Sequence, residues 1–212
     1  AEDQRDLLFH DARPVVLDHH QVSSPPPPAL ALVNPQLGSD PEARNFCSVG
    51  LAFKLAHALL KRCRAFGWPK ALTFDLRPFL ELVALGTVAD LVPLVGENRI
   101  LARAGLERLR ITARPGLVAL KKVAGIDGNV GSYEVGFQLA PRLNAAGRLE
   151  TALDALELIL TKDPARAEAL ASSLDEQNRE RQALEKKIAD EVIGAIQMRF
   201  NPATDFAIVE GH

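Results

Sequence analysis

Short β-branched runs give way along this chain to longer stretches of helical period. Val15-Val16-Leu17, entered through Arg13-Pro14, is an uninterrupted apolar run and predicts a buried parallel strand. Asp18-His19-His20 follows at once. These polar side chains therefore fall at the strand's C-terminal end, where open α/β sheets bind their ligands. Ser23-Ser24 and four prolines, Pro25 to Pro28, impose a stiff extended loop. A second strand is expected within Ala29 to Val33, ended by Asn34-Pro35.

Helical periodicity takes over at Ser48. Leu51, Leu55 and Leu59 recur at i, i+4 and i+8 and predict an amphipathic helix over 48–60. A second helix is expected over 79–92, closed by Pro93, with Leu80, Val83, Ala84, Val88 and Leu91 on one face. Asn98 is placed to cap a helix over 99–110, and Pro115 opens another that stops near Gly125. Two more are predicted over 133–139 and 150–160. The longest begins at Asp163-Pro164 and meets only Gly194 before Phe200. Its apolar residues, Leu170, Leu174, Leu184, Ile188, Val192 and Ile196, keep close to a heptad rhythm that lapses at Gln177 and Arg181. Some 36 residues at ~1.5 Å each make a rod of about 54 Å. The polar lapse, and the apolar run Phe206 to Val209 beyond it, favour a connector between domains over a coiled-coil dimer.

Composition narrows the classes. With 212 residues, 47% hydrophobic and 25% charged, the chain can bury a core and is not disordered throughout. Two cysteines exclude a disulfide scaffold and a cysteine-based zinc ribbon. No apolar run approaches the ~20 residues a bilayer requires, and the first residues lack a signal peptide's pattern, so a soluble cytoplasmic protein is expected. A net charge of -2 rules out a uniformly basic nucleic-acid wrapper. Charge is nevertheless uneven: residues 99–148 carry nine Lys and Arg against three acids. That stretch suits a polyanion-facing surface, or simply solvated helix faces. The opening on Asp6-Leu7-Leu8-Phe9-His10 and the close on a strand-like run lead us to expect a fragment of a longer protein.

Three places hold candidate chemistry. Asp18-His19-His20 offers carboxylate and imidazole donors of the kind Mn²⁺ accepts, although a strand-end polar cluster has the same composition. Asp90 lies on an otherwise apolar helix face, so it needs a partner, a capping role or a cation. Pro141 to Arg148 reads as a turn bounded by Pro and Gly. It gathers Arg142, Asn144 and Arg148, which can fork onto phosphates or merely face solvent. Cys47, Cys63, His10 and His57 show no metal-ligand spacing and are read as structural.

Taken together the segments resemble the RecJ family, single-strand-specific 5′→3′ exonucleases of the DHH phosphoesterase superfamily. The matching stretches are Leu17 to His20, Ala31 to Pro35, Val49 to Leu55, Ala84 to Leu94 with Gly96 to Arg99, Gly136-Phe137, Pro141 to Arg148, and Asn178 to Arg181. Asp-His-His alone indicates only the superfamily, whereas Gly86 to Asp90 and Arg142 to Arg148 point to RecJ. The resemblance implies an α/β fold class: the C-terminal part of a DHH-type parallel-sheet domain over 1–162, predominantly helical here. A connector helix over 163–200 follows, then the first strand of a second, DHH-associated domain over 201–212. It implies hydrolysis of single-stranded DNA with two Mn²⁺ or Mg²⁺ ions that activate water and stabilise the attacked phosphate, in DNA repair and recombination. His19 and Asp90 would be metal ligands. His20 would sit against the scissile phosphate or the attacking water, and Asp18 would be a ligand or would orient the imidazole. Arg142, Asn144 and Arg148 would line the nucleic-acid path. A single-strand-binding protein and a helicase are the expected partners, with no membrane.

The family's Asp-x-Asp segment, its later metal-binding Asp, and the glycine-rich motif of its second domain have no counterpart here. The metal site is therefore expected to be incomplete and the chain by itself nearly inert. Two alternatives stand beside the exonuclease: a DHH phosphoesterase for short oligonucleotides, cyclic dinucleotides or pyrophosphate, and a non-catalytic replication scaffold.

Overall fold

A computed structural model of the chain describes residues 14–149, 152–199 and 201. Over these residues the protein is mainly helical, with one two-stranded parallel sheet. Strand β1 (Val15–Leu17) pairs with β2 (Ala31–Val33) in the register Val15 to Ala31, Val16 to Leu32 and Leu17 to Val33. Parallel strands need a crossover of about a dozen residues, and the proline-rich loop supplies it without a helix. The first strand is not buried as expected. Val15 and Val33 are exposed, because among the described residues each strand has one neighbour and one open edge.

The described residues fall into two compact units, one containing 14–112 and 128–140, the other 113–127 and the residues from Pro141 onward. In the first, α1 (Ser48–Ala65), α2 (Pro69–Thr73), α3 (Leu80–Ala89) and α4 (Gly96–Arg110) follow the sheet. Helix α3 is apolar almost all round and packs against α1 and α4, burying Val83, Ala84, Leu85 and Val88. Close approach of α3 and α4 depends on Gly105, where a Cβ would collide with the Leu80 carbonyl.

Helix α3 stops at Ala89, earlier than the expected 92. Asp90 is its C-cap, and Leu91 turns left-handed at φ 55°. Leu91 is thereby thrown out to 83% exposure instead of joining the apolar face. A non-glycine residue in that region costs about 1–2 kcal/mol. Asn98 is not a helix cap. It is buried inside α4, whose N-cap is Val95, and its Nδ2 donates to the Asn45 and Pro93 carbonyls at 2.6 and 3.2 Å.

In the second unit, α5 (Pro115–Val123), α7 (Leu153–Leu160) and α8 (Pro164–Arg199) pack together through Leu117, Leu120, Leu158, Ala167, Ala171 and Leu174. The Asp163 carboxylate accepts the Ala165 amide at 2.9 Å and caps α8. Only the first half of this 36-residue helix is buried; farther along, Leu184 and Ile193 face solvent. The expected turn at Pro141 is instead helix α6 (Ala140–Leu149). A π-helical turn over Glu134–Leu139 leads into it. Widening the ring of hydrogen bonds there absorbs the missing N–H and the bulk of Pro141, so the proline does not end the helix. The run Phe206 to Val209, His10 and Glu150 lie outside the described residues. None of the described helices is long and apolar enough to cross a membrane.

Candidate metal centre

The Asp18 amide donates to the Val33 carbonyl at 3.2 Å, extending the strand ladder by one residue, and the chain then leaves the sheet. Asp18, His19 and His20 each present a ligand atom there, all within 4.8 Å of one another. His19 is the inner residue, 17% exposed against 73% for His20. Its Nε2 donates to Asp90 Oδ2 at 2.8 Å, which brings the end of β1 to the end of α3. Its Nδ1 faces Ser48 Oγ at 2.9 Å, on the first residue of α1. A hydroxyl both donates and accepts, so Ser48 holds the ring whether or not Nδ1 carries a proton.

His20 is held differently. Its Nδ1 donates to Asp18 Oδ1 at 2.8 Å, and the two imidazoles lie 4.2 Å apart. That hydrogen bond from His20 keeps the Asp18 carboxyl below its ordinary value, so it is an anion near neutrality. Buried Asn34 fastens the backbone beneath, with Nδ2 donating to the His20 carbonyl at 2.9 Å and Oδ1 accepting the Gln36 amide at 2.9 Å. Gln36 Nε2 reaches the His19 carbonyl at 3.3 Å. Both histidines are thus clamped from behind by the residues that end β2.

A divalent cation fits this donor set. One carboxylate and two imidazoles converge, Asp90 adds a second carboxylate beside His19 Nε2, and no thiol joins them, since Cys47 is buried against Thr87 at 3.6 Å. That chemistry suits Mn²⁺ or Mg²⁺ rather than a thiolate-seeking ion. Asp90 also sits at the negative end of the α3 dipole, where a carboxylate alone is unfavourable and a cation is favoured.

Other candidates lie apart in the chain. In the second unit Arg142 donates from Nε to Asp175 Oδ1 at 2.8 Å, in a pair largely shielded from water. Asn144 is exposed on α6, while the side chain of Arg148 lies outside what is described. The motif reading did not pick out Ser48, Asn34 or Gln36 as site residues. The only signal for Asn34 was its place at the end of β2, directly before Pro35.

The fold and cluster define a helix-rich α/β protein with a carboxylate–imidazole centre at the end of a parallel strand. Its relatives are RecJ proteins, as the motifs led us to expect. The chain is 44% identical over 187 residues to the single-stranded-DNA-specific exonuclease RecJ of Bacillus subtilis, covering 87% of this chain and 22% of that protein. It is 40% identical over 182 residues to the Thermus thermophilus RecJ, covering 86% and 26%. The crystal structure of an exonuclease RecJ bound to manganese matches 92% of this chain and 47% of its own, at 36% identity and a TM-score of 0.76. The Thermus thermophilus RecJ in complex with Mn²⁺ matches 95% and 28%, at the same identity and score. A magnesium complex of that protein matches as well. The chain thus spans about a fifth to a quarter of the two relatives named. No protein-family model matches it.

Proposed function

We propose that the protein carrying this chain is a metal-dependent phosphodiester hydrolase, an exonuclease that shortens single-stranded DNA from its 5′ end in DNA repair and recombination. The observation that carries the reading is the meeting of His19 with Asp90 beside Asp18 and His20. It occurs in a segment similar to proteins named single-stranded-DNA-specific exonucleases, some crystallised with Mn²⁺ or Mg²⁺.

In this reading His19 and Asp90 hold the ion, with Asp18 as ligand or orienting partner. Bound divalent cations supply positive charge at the phosphate and make water more acidic. The protein's own groups do the positioning. Ser48 and the Gln36 amide fix the His19 ring and backbone. Asp18 accepts the His20 Nδ1–H, which fixes that ring and leaves its other nitrogen on the exposed side. From its exposed position His20 hydrogen-bonds a phosphate oxygen or hands a proton to the departing one.

The proposal extends to Arg142, Asn144 and Arg148 as nucleic-acid contacts, with the Arg142 guanidinium shared with Asp175. It also includes a catalytic domain over 1–162, a connector over 163–200, a cytoplasmic location, and a single-strand-binding protein and a helicase as partners. The test is Mn²⁺-dependent digestion of end-labelled single strands by the full-length protein. Early release of a 5′ label, abolished by Asp90→Asn, is expected. Equal loss from both ends, or full activity in the variant, contradicts it.

A further inference from the structure

Within the first unit, α4 and the residues just before the π-helical turn border a groove of about 400 Å³. Leu94, Arg99, Arg103, Leu106, Arg110 and Ser132 line it. Three arginines border it against the single carboxylate of Glu107, which lies 3.5 Å from Arg103, and Arg110 donates from Nε to the Val130 carbonyl at 3.4 Å. Arg99 and Arg103 are exposed. Immediately after Ser132 stand two aromatic rings, Tyr133 and Phe137, with centroids 5.1 Å apart. They are 61% and 69% exposed and lie ring against ring, next in sequence to a residue of the groove.

The place of this patch matters. The π-helical turn packs against α3, with Gly136 next to Val88, two residues before Asp90. Leu94, at the groove's edge, follows Asp90 by four residues. Groove and aromatic pair therefore adjoin the end of α3 that presents Asp90.

We propose that this patch is a single-stranded nucleic-acid subsite, with the α4 arginines along the phosphates and Tyr133 and Phe137 as a stacking platform for bases. Guanidinium groups neutralise phosphate without regard to sequence, and exposed rings take the face of any unpaired base. A duplex hides its bases and gains only from the arginines. The patch thus selects single strands beside the metal centre. The inference rests on the proposed function only for its choice of polymer.

The test measures binding of a fluorescein-labelled oligo-dT to the full chain by anisotropy in EDTA, with a duplex as comparison. Binding without metal keeps the outcome separate from hydrolysis: a protein that cleaves with Mn²⁺ but ignores these substitutions retains the hydrolase reading and loses this one. Tyr133→Leu with Phe137→Leu is expected to weaken oligo-dT binding about tenfold or more, with duplex affinity little changed. Arg99→Ala with Arg103→Ala is expected to reduce the slope of log affinity against log salt by about 0.7 for each phosphate no longer neutralised. Unchanged affinity in both variants, or no binding by the unmodified chain, overturns the proposal. Loss with the arginines alone overturns the stacking platform, and loss with the rings alone overturns the groove. If the leucine variant does not fold, photocrosslinking of an iodouracil oligonucleotide to the unmodified chain decides. Adducts at Tyr133 or Phe137 support the proposal, and adducts confined elsewhere refute it.

Discussion

The Nε2 of His19 lies 2.8 Å from Oδ2 of Asp90, joining the end of a strand near the start of the chain to the cap of a central helix. The same imidazole touches Ser48 through its other nitrogen. A single ring thus links β1, α1 and α3. The expected consequences of disturbing it differ by which link is cut.

Ser48→Ala removes the hydroxyl without touching a donor atom of the cluster. The ring gains freedom, and Mn²⁺ affinity is expected to fall about tenfold, the usual effect of losing an outer hydrogen bond to a ligand histidine. Ser48→Thr keeps the hydroxyl and should restore most of the affinity. Calorimetric titration of Mn²⁺ into the two variants checks this, with melting curves to show that both remain folded.

Gly86 tests the packing behind the site. A Cβ there would lie 2.5 Å from Val49 Cγ1, next to Ser48. Gly86→Ala must therefore displace the Val49 side chain or part α1 and α3. Overpacking of this kind costs about 1–3 kcal/mol. A lower urea midpoint is expected together with weaker Mn²⁺ binding, because these helices carry Ser48 and Asp90.

How far the sequence disclosed all this depended on the range of the interaction. The apolar run before Asp18 and the cap at Asp163 are local, and both were readable. Asp90 stood out because a carboxylate followed Leu, Val and Ala. A capping role was among its readings, but the helix stop at Ala89 was hidden, since a leucine rather than a glycine turns left-handed after it. The helix through Pro141 was missed because the compensating π-helical turn is built from ordinary residues. Asn98 was misread because a buried asparagine donating to distant carbonyls looks, in one dimension, like a helix cap. Ser48 and Asn34 escaped for a related reason: their partners are set by tertiary packing.

Asp175 is 6% exposed and is bonded by Arg142 at 2.8 Å and by Arg179 at 2.6 Å. Asp175→Asn removes the negative charge that faces the shielded Arg142 guanidinium. Breaking one side of a buried pair costs about 3–5 kcal/mol. Urea denaturation should show a fall toward the lower end of that range, because Arg179 is open to solvent.

The second unit also carries a pH-sensitive clamp. Arg166 donates from Nε and Nη2 to the two oxygens of Glu157, each at 2.6 Å, tying α8 to α7. These bonds hold the Glu157 carboxyl below its ordinary value. A carboxyl depressed on folding stabilises the fold above its unfolded pKa, and that contribution is lost as pH falls through the folded value. Glu157→Gln should therefore lower stability at neutral and alkaline pH, where the bond contributes, and flatten the acid limb, where it is already lost. Denaturation midpoints followed from neutral to acid pH read this directly.

The central claim is that His19 and Asp90 hold one ion between them. Pulsed electron paramagnetic resonance of Mn²⁺ bound to the unmodified chain, to His19→Asn and to Asp90→Asn tests it most directly. Nitrogen modulation of the manganese echo is expected in the unmodified protein. It should be lost or much reduced in His19→Asn, with affinity at least tenfold lower in both variants. Equal affinity and an unchanged echo in the two variants would contradict the account.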